Sequence, residues 1–192
     1  MAYATETVRY IIDSLWILLL AYWIFKSFGN KKDALKLSFW MHGTWPLSIT
    51  AIILWTFLKP SGINQALISQ TKLSQILGIL LCASGVALAV WARSTLSTNW
   101  SAQVVIKENH ELITTGPYAI VRHPIYTGFT ATLLGTIIAV NISIFILIVA
   151  ALIILYYWGK LKKEEKIILE QFPREYSEYK KNVRYALIPF LL

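Results

Sequence analysis

The residues of this chain with the clearest chemical potential are an Arg-His-Pro block and a pair of glutamates. Arg122-His123-Pro124 stands just before a long hydrophobic run, and Glu164-Glu165 opens a charged tail beyond that run. Imidazole and carboxylate side chains can bind cations, accept hydrogen bonds or move protons. The hydrophobic run between them is long enough to cross a lipid bilayer twice, so both groups can lie at the same face. The sequence therefore predicts a polar site at one face of the bilayer.

Each of these groups has a functional interpretation and a simpler structural one. Pro124 suits the first position of a helix, so Arg122 and His123 would lie at a helix N-terminus, where backbone N–H groups and the helix dipole favour a carboxylate. Arg122 could instead only anchor that helix at the lipid headgroups. Glu164 and Glu165 could form a solvated helix face paired with nearby lysines.

Composition indicates a membrane protein. Hydrophobic residues make up 56% of the 192, charged residues only 15%, and the mean hydropathy is +0.56. The net charge of +8 comes from basic residues that flank apolar runs, which argues against nucleic-acid binding. The only cysteine, Cys82, lies in an apolar run, so neither a disulfide within the chain nor a cysteine-based metal site is expected and Cys82 is interpreted as a packing residue.

Five hydrophobic runs predict five transmembrane helices, because a spanning helix needs about 20 mostly apolar residues. They cover residues 8–25, 37–58, 73–92, 125–140 and 142–158. The fourth and fifth share one uncharged stretch, and Asn141 near its centre predicts a helical hairpin. The third is rich in small residues, which allow close helix packing. The chain is therefore predicted to be an all-α integral membrane protein with one domain, residues 1–192.

The charged tail predicts a helical region at the membrane surface. Phe172, Tyr176, Tyr179 and Val183 recur at spacings that place them on one helix face. Pro173 should break this region or begin its second helix. The polar stretch 94–115 is interpreted as a connector.

The distribution of basic residues predicts the topology. With five spans and the C-terminus in the cytoplasm, 15 of the 18 Lys and Arg residues lie inside, and only Arg9, Lys59 and Lys72 lie outside. This asymmetry favours an external N-terminus and a cytoplasmic C-terminus. It also puts Arg122-His123 and Glu164-Glu165 on the same, cytoplasmic side.

The second half of the chain resembles a known enzyme family. The relevant motifs are Leu112-Ile113-Thr114-Thr115-Gly116-Pro117-Tyr118, Arg122-His123-Pro124-Ile125-Tyr126-Thr127-Gly128, Glu164-Glu165, and a tail with Phe172, Glu175-Tyr176, Glu178-Tyr179-Lys180-Lys181 and Pro189. On these motifs, residues 99–190 resemble the isoprenylcysteine carboxyl methyltransferases, which are related to membrane phospholipid N-methyltransferases. The first two hydrophobic runs match only in character.

The resemblance implies S-adenosylmethionine as methyl donor and residues 99–192 as the cofactor-binding catalytic core, with residues 1–98 supplying the first three spans and their loops. The implied cofactor-binding residues are Gln103, His110, Glu111, Leu112, Ile113, Tyr118, His123, Pro124, Ile125, Tyr126 and Glu164. Eukaryotic members use an Arg toward the substrate, and this chain has Lys160 there, so Lys160 and Arg122 are the candidate catalytic residues. Neither a Gly-rich nucleotide-binding turn nor a metal-ligating cluster is apparent.

The predicted function is methyl transfer to the carboxylate of an isoprenylated cysteine or a similar lipophilic acceptor, at the cytoplasmic face of the bilayer. A carboxylate is already deprotonated at neutral pH, so this reaction needs no general base. The alternatives are a phospholipid amine N-methyltransferase, for which His123 or Glu165 would be the candidate base, a sterol-reductase-like enzyme using NADPH, and a membrane scaffold without catalytic activity.

Overall fold

The computed structural model describes residues 6–27, 66–96, 112–140 and 142–187. Five α-helices lie in these ranges: α1 Glu6–Ser27, α2 Lys72–Leu96, α3 Pro124–Val140, α4 Ile144–Gln171 and α5 Pro173–Asn182. A 3-10 turn, Gly116–Ala119, lies between α2 and α3, and no strand occurs within the described ranges. The predicted all-α class is confirmed for them, whereas the predicted span 37–58 and most of the connector lie outside the described residues.

Within the described part of the chain, three helices are long and apolar enough to cross a bilayer: α1, α2 and α4. α3 is apolar but shorter, with 17 residues. Many large apolar side chains point outward from these helices, and Ile17, Leu80 and Leu152 are each more than 60% exposed. Such wide apolar surfaces match a hydrocarbon environment.

Among the described helices, α2 and α3 pack closely against each other through small residues. A Cβ added to Gly135 would come within 2.3 Å of the backbone nitrogen of Cys82, and one added to Gly85 within 2.5 Å of that of Thr132. The two backbones therefore approach as closely as glycine permits. Cys82 is fully buried at this contact, which confirms its interpretation as a packing residue.

α1 packs against this pair through aromatic and polar contacts. The indole Nε1 of Trp16 donates to the hydroxyl of Thr136 at 3.0 Å. The rings of Trp23 and Phe129 meet edge to face with centroids 5.2 Å apart. α1, α2 and α3 thus form one packed group, with the contacts from α1 distributed along α3.

The charged tail extends the last hydrophobic helix. α4 continues without a break from Ile144 through the lysines and glutamates to Gln171, because Lys, Glu and Leu all favour helix and nothing between them ends it. Pro173 then begins α5, as predicted. Tyr176, Tyr179 and Val183 are buried together with Phe172 packed against them, which confirms the predicted face.

Candidate active site

The candidate site lies where α3 begins. Pro124 is the first residue of α3, and Arg122 and His123 immediately precede it. The backbone N–H of Arg122 donates to the carbonyl of Tyr185 at 3.0 Å, and that of His123 donates to the carbonyl of Ala186 at 2.9 Å. These two amides are therefore bonded within the chain, and the prediction that the start of α3 favours a carboxylate stays a prediction for the amides of its first turn.

The side chain of His123 faces the two glutamates of α4. Its Nδ1 lies 3.7 Å from Oε2 of Glu164, and its Nε2 lies 3.5 Å from Oε1 of Glu165. Nε2 is buried and makes no hydrogen bond to any described residue. The hydroxyl of Tyr126, in the first turn of α3, donates to Oε1 of Glu164 at 2.5 Å. The block before α3 and the start of the charged tail thus form one cluster, as the sequence predicts.

Aromatic rings surround one side of this cluster. The rings of His123 and Tyr126 are stacked with centroids 5.8 Å apart, and Tyr157 lies 5.3 Å from Tyr126. The ammonium of Lys160 lies 5.9 Å from the centre of the Tyr126 ring. Lys160 is half-buried and precedes Glu164 by one turn of α4. The arrangement combines a carboxylate, aromatic faces and a lysine ammonium at a largely buried position.

The turn before α3 is tied to the C-terminal helix. Gly116 has φ +61°, a backbone conformation that glycine adopts without strain. The hydroxyl of Tyr179 donates to the carbonyl of the buried Tyr118 at 2.7 Å. Burial raises the pKa of the Tyr179 phenol, so its hydroxyl stays protonated and can donate. Leu112 packs against the same tyrosine cluster.

Glu165 differs from its neighbour in having two cationic partners. Nε of Arg122 lies 2.7 Å from its Oε1, and Nζ of Lys180 lies 2.8 Å from its Oε2. The guanidinium of Arg122, a candidate catalytic residue, is therefore directed at the protein's own carboxylate. No sequence motif distinguishes Lys180 from the other lysines of the tail, so this contact was not predicted.

The structure brings together most of the predicted site residues that it describes. His123, Tyr126, Lys160 and Glu164 converge, Pro124 and Tyr118 are buried beside them, and Ile125 packs against the main hydrophobic core. Ile113 is partly buried in the segment leading to the 3-10 turn. Gln103, His110 and Glu111 lie outside the described residues. Tyr157, which no motif singled out, joins the site from within an apolar run.

Fold and site define a class of membrane protein. The chain belongs to the phospholipid methyltransferase family, whose model matches residues 73–175, more than half of the chain. The predicted resemblance to the isoprenylcysteine carboxyl methyltransferases is confirmed, and the protein is an integral membrane protein.

Among the proteins similar in sequence to this chain are two named protein-S-isoprenylcysteine O-methyltransferases. The chain is 33% identical over 123 residues to a Saccharomyces cerevisiae protein-S-isoprenylcysteine O-methyltransferase, covering 63% of this chain and 51% of that one. It is 27% identical over 165 residues to the Homo sapiens protein of the same name, covering 85% and 58%. The chain thus spans only about half of the length of these relatives.

A solved structure shares the fold. It is that of a eukaryotic intramembrane Ras methyltransferase, an isoprenylcysteine carboxyl methyltransferase, with a TM-score of 0.56 and 25% sequence identity. The match covers 76% of this chain and 52% of that one.

Proposed function

We propose that this protein transfers a methyl group from S-adenosylmethionine to the carboxylate of an isoprenylated cysteine, or of a similar lipophilic acceptor. The observation that carries the proposal is the convergence of His123, Tyr126 and Glu164 at the start of α3, in a chain of a methyltransferase family. The names of the yeast and human relatives supply the acceptor class.

The chemistry of the cluster suits this methyl donor. When bound, S-adenosylmethionine supplies an electrophilic methyl group on a sulfonium cation. The Glu164 carboxylate is 20% exposed and can accept hydrogen bonds from an ammonium or from ribose hydroxyls. The faces of Tyr126 and Tyr157 favour a nearby cation. We therefore assign donor binding to the described residues Leu112, Ile113, Tyr118, His123, Pro124, Ile125, Tyr126 and Glu164, and by resemblance to Gln103, His110 and Glu111.

Lys160 is proposed to steer the acceptor. Its alkyl chain can lie in the apolar layer while its ammonium stays at the interface. The ammonium lies over the Tyr126 ring, next to the residues assigned to the donor, so it can attract a carboxylate towards them. Because a carboxylate is deprotonated at neutral pH, no group of the protein has to accept a proton.

The burial of the site favours this reaction. His123 and Tyr126 are both buried, so water is largely excluded around them. A cationic donor and an anionic acceptor lose their charges as the methyl group moves, and a dry site favours such a step once binding has offset desolvation. Exposed apolar helix faces also let a lipid tail reach the site from within the bilayer.

A phospholipid amine is the second candidate acceptor, because the matching family model is that of the phospholipid methyltransferases. An ammonium acceptor would have to lose a proton, and His123 would then be the candidate base. The cytoplasmic orientation of the site, inferred from the distribution of Lys and Arg, is common to both proposals.

Calorimetry on the detergent-purified protein tests the donor. S-adenosylmethionine should bind and NADPH should not. His123→Ala and Glu164→Ala should each weaken donor binding by roughly tenfold or more, the usual cost of a lost charged hydrogen bond. Glu170→Ala, exposed on the same helix, is the matched control and should bind as the parent does. Unchanged affinity in both site variants would refute the assignment, and NADPH binding without S-adenosylmethionine binding would refute the reaction.

A further inference from the structure

Glu164 and Glu165 are adjacent in the chain but have different surroundings. The Glu164 side chain is 20% exposed and accepts a hydrogen bond from a neutral phenol. The Glu165 side chain is 8% exposed, with Arg122 on one oxygen and Lys180 on the other. Only Glu164 therefore keeps an accessible carboxylate for a ligand.

Arg122 extends this contact to the C-terminal segment. Its Nη1 donates to the carbonyl of Val183 at 2.8 Å and to that of Arg184 at 2.5 Å. The next carbonyls along the chain accept from the backbone amides of Arg122 and His123. Segment 183–187 thus lies across the start of α3, and two of its residues, Ala186 and Leu187, are buried there.

We propose that Glu165 and Arg122 are positioning residues that hold His123 and Glu164 in the geometry required for donor binding. Together with Lys180 they form an ion-pair cluster, called here the Glu165 clamp, which joins the start of α3, α4 and α5. Oε1 of Glu165 also lies 3.5 Å from Nε2 of His123. This inference rests on the proposed function, and it assigns Arg122 a role that acts through other residues instead of on the substrate.

The clamp also bears on the choice of base. Glu165 was one of two candidate bases for amine methylation. Both of its oxygens face cations, which stabilise the ionised form and oppose uptake of a proton. A carboxylate in this setting serves to hold Arg122 and Lys180, and His123 is left as the single candidate base of that alternative.

Removing one charge from the clamp should loosen it. Removing one partner of a buried ion pair strongly destabilises the folded structure, because the other charge is left uncompensated. In Glu165→Gln, Arg122 and Lys180 would lose their common anion, and the backbone hydrogen bonds from Arg122 and His123 to segment 183–187 would open more often. His123 would then be held less firmly.

Hydrogen–deuterium exchange and donor binding, measured on the same detergent-purified variants, test this proposal. Glu165→Gln should speed exchange of peptides covering 120–126 and 183–187, without donor present, and should weaken S-adenosylmethionine binding by about tenfold, the usual cost of a lost charged contact. Glu164→Gln should weaken binding with exchange unchanged. Glu170→Gln should alter neither.

The outcomes separate the roles. If Glu165→Gln weakens binding but leaves exchange unchanged, Glu165 contacts the donor directly and the positioning role is overturned. If it speeds exchange but leaves binding unchanged, the Glu165 clamp stabilises the fold without affecting the donor site, which also overturns the positioning role. If Glu165→Gln does not fold, Lys180→Met removes the more exposed arm, 40% accessible, and should speed exchange of 183–187 to a smaller degree. Unchanged exchange there would equally overturn the proposal. A parent protein that binds no S-adenosylmethionine would overturn the proposed function instead.

Discussion

The hydroxyl of Tyr126 donates to Oε1 of Glu164 at 2.5 Å and so joins the first turn of α3 to the polar end of α4. Together with the contact between Oε2 of Glu164 and Nδ1 of His123, the bond fixes the orientation of a partly exposed carboxylate. The same ring stacks on His123 and lies under the Lys160 ammonium. Tyr126 is therefore the residue that connects the proposed donor and acceptor sides of the site.

Replacing this tyrosine by phenylalanine isolates the role of its hydroxyl. Tyr126→Phe keeps the ring but frees Glu164, and we expect donor affinity to fall roughly two- to tenfold, the range of a single hydrogen bond. Tyr156→Phe is the matched control, because Tyr156 is exposed on α4 next to the site. Calorimetry with S-adenosylmethionine measures both. Equal affinities in the two variants would mean that the Tyr126–Glu164 bond does not orient the ligand.

Lys160 gives a kinetic prediction about the acceptor. Lys160→Ala should mainly raise the KM for a prenylcysteine analogue and alter donor affinity less. Lys160→Glu should be worse, because it repels a carboxylate, and Lys160→Arg should retain activity because it keeps the charge. Lys163→Glu, exposed on the same helix, controls for the change in surface charge. Unaltered kinetics in Lys160→Glu would show that Lys160 only anchors α4 at the headgroups.

The α2–α3 contact gives a stability prediction. Gly135→Ala places a Cβ within 2.3 Å of the backbone of Cys82, so the helices must move apart, and we expect a loss of about 1–3 kcal/mol. A Cβ on Gly159 would meet nothing within 4 Å, so Gly159→Ala should stabilise α4 by about 0.5–1 kcal/mol. Thermal unfolding in detergent, followed by tryptophan fluorescence, should show shifts of opposite sign. A Gly135→Ala protein as stable as the parent would contradict the close packing.

Much of the fold could be predicted from local patterns. Hydropathy located α1, α2 and α4, and Pro173 marked the start of α5, because spanning helices and prolines leave direct traces in sequence. The end of the last span was placed at 158, yet α4 continues to Gln171. Hydropathy falls at Lys160 although helix propensity does not, so the apolar run and the helix end at different residues.

The partners within the site were harder to predict. The Arg122-His123 and Glu164 motifs identified the cluster, partly through family resemblance. The acceptors of the Arg122 and His123 amides lie more than 60 residues later in the chain, in an irregular segment without periodicity. Lys180 contacts Glu165 because the chain changes direction at Pro173, between α4 and α5. Neither the helical spacing of residues nor the pattern of charges predicts the direction that α5 takes.

Topology can be tested by labelling single cysteines in a Cys82→Ala background. Cysteines introduced at Lys32 and Arg184 should react with an impermeant reagent only from the cytoplasmic side, and one at Lys59 only from the outside, because the basic residues are concentrated on the proposed inner segments. Labelling of the Lys59 position from the cytoplasmic side alone would contradict the five-span topology.

The identity of the methylated group tests the central proposal most directly. Membranes containing the protein would receive S-adenosylmethionine with a labelled methyl group, together with a prenylcysteine, its carboxamide analogue, or phosphatidylethanolamine. We predict label on the prenylcysteine as a base-labile methyl ester, none on the carboxamide, and reduced incorporation in Glu164→Ala at a donor concentration below saturation. Methylation of phosphatidylethanolamine without methylation of prenylcysteine would contradict the acceptor assignment and leave the donor assignment intact.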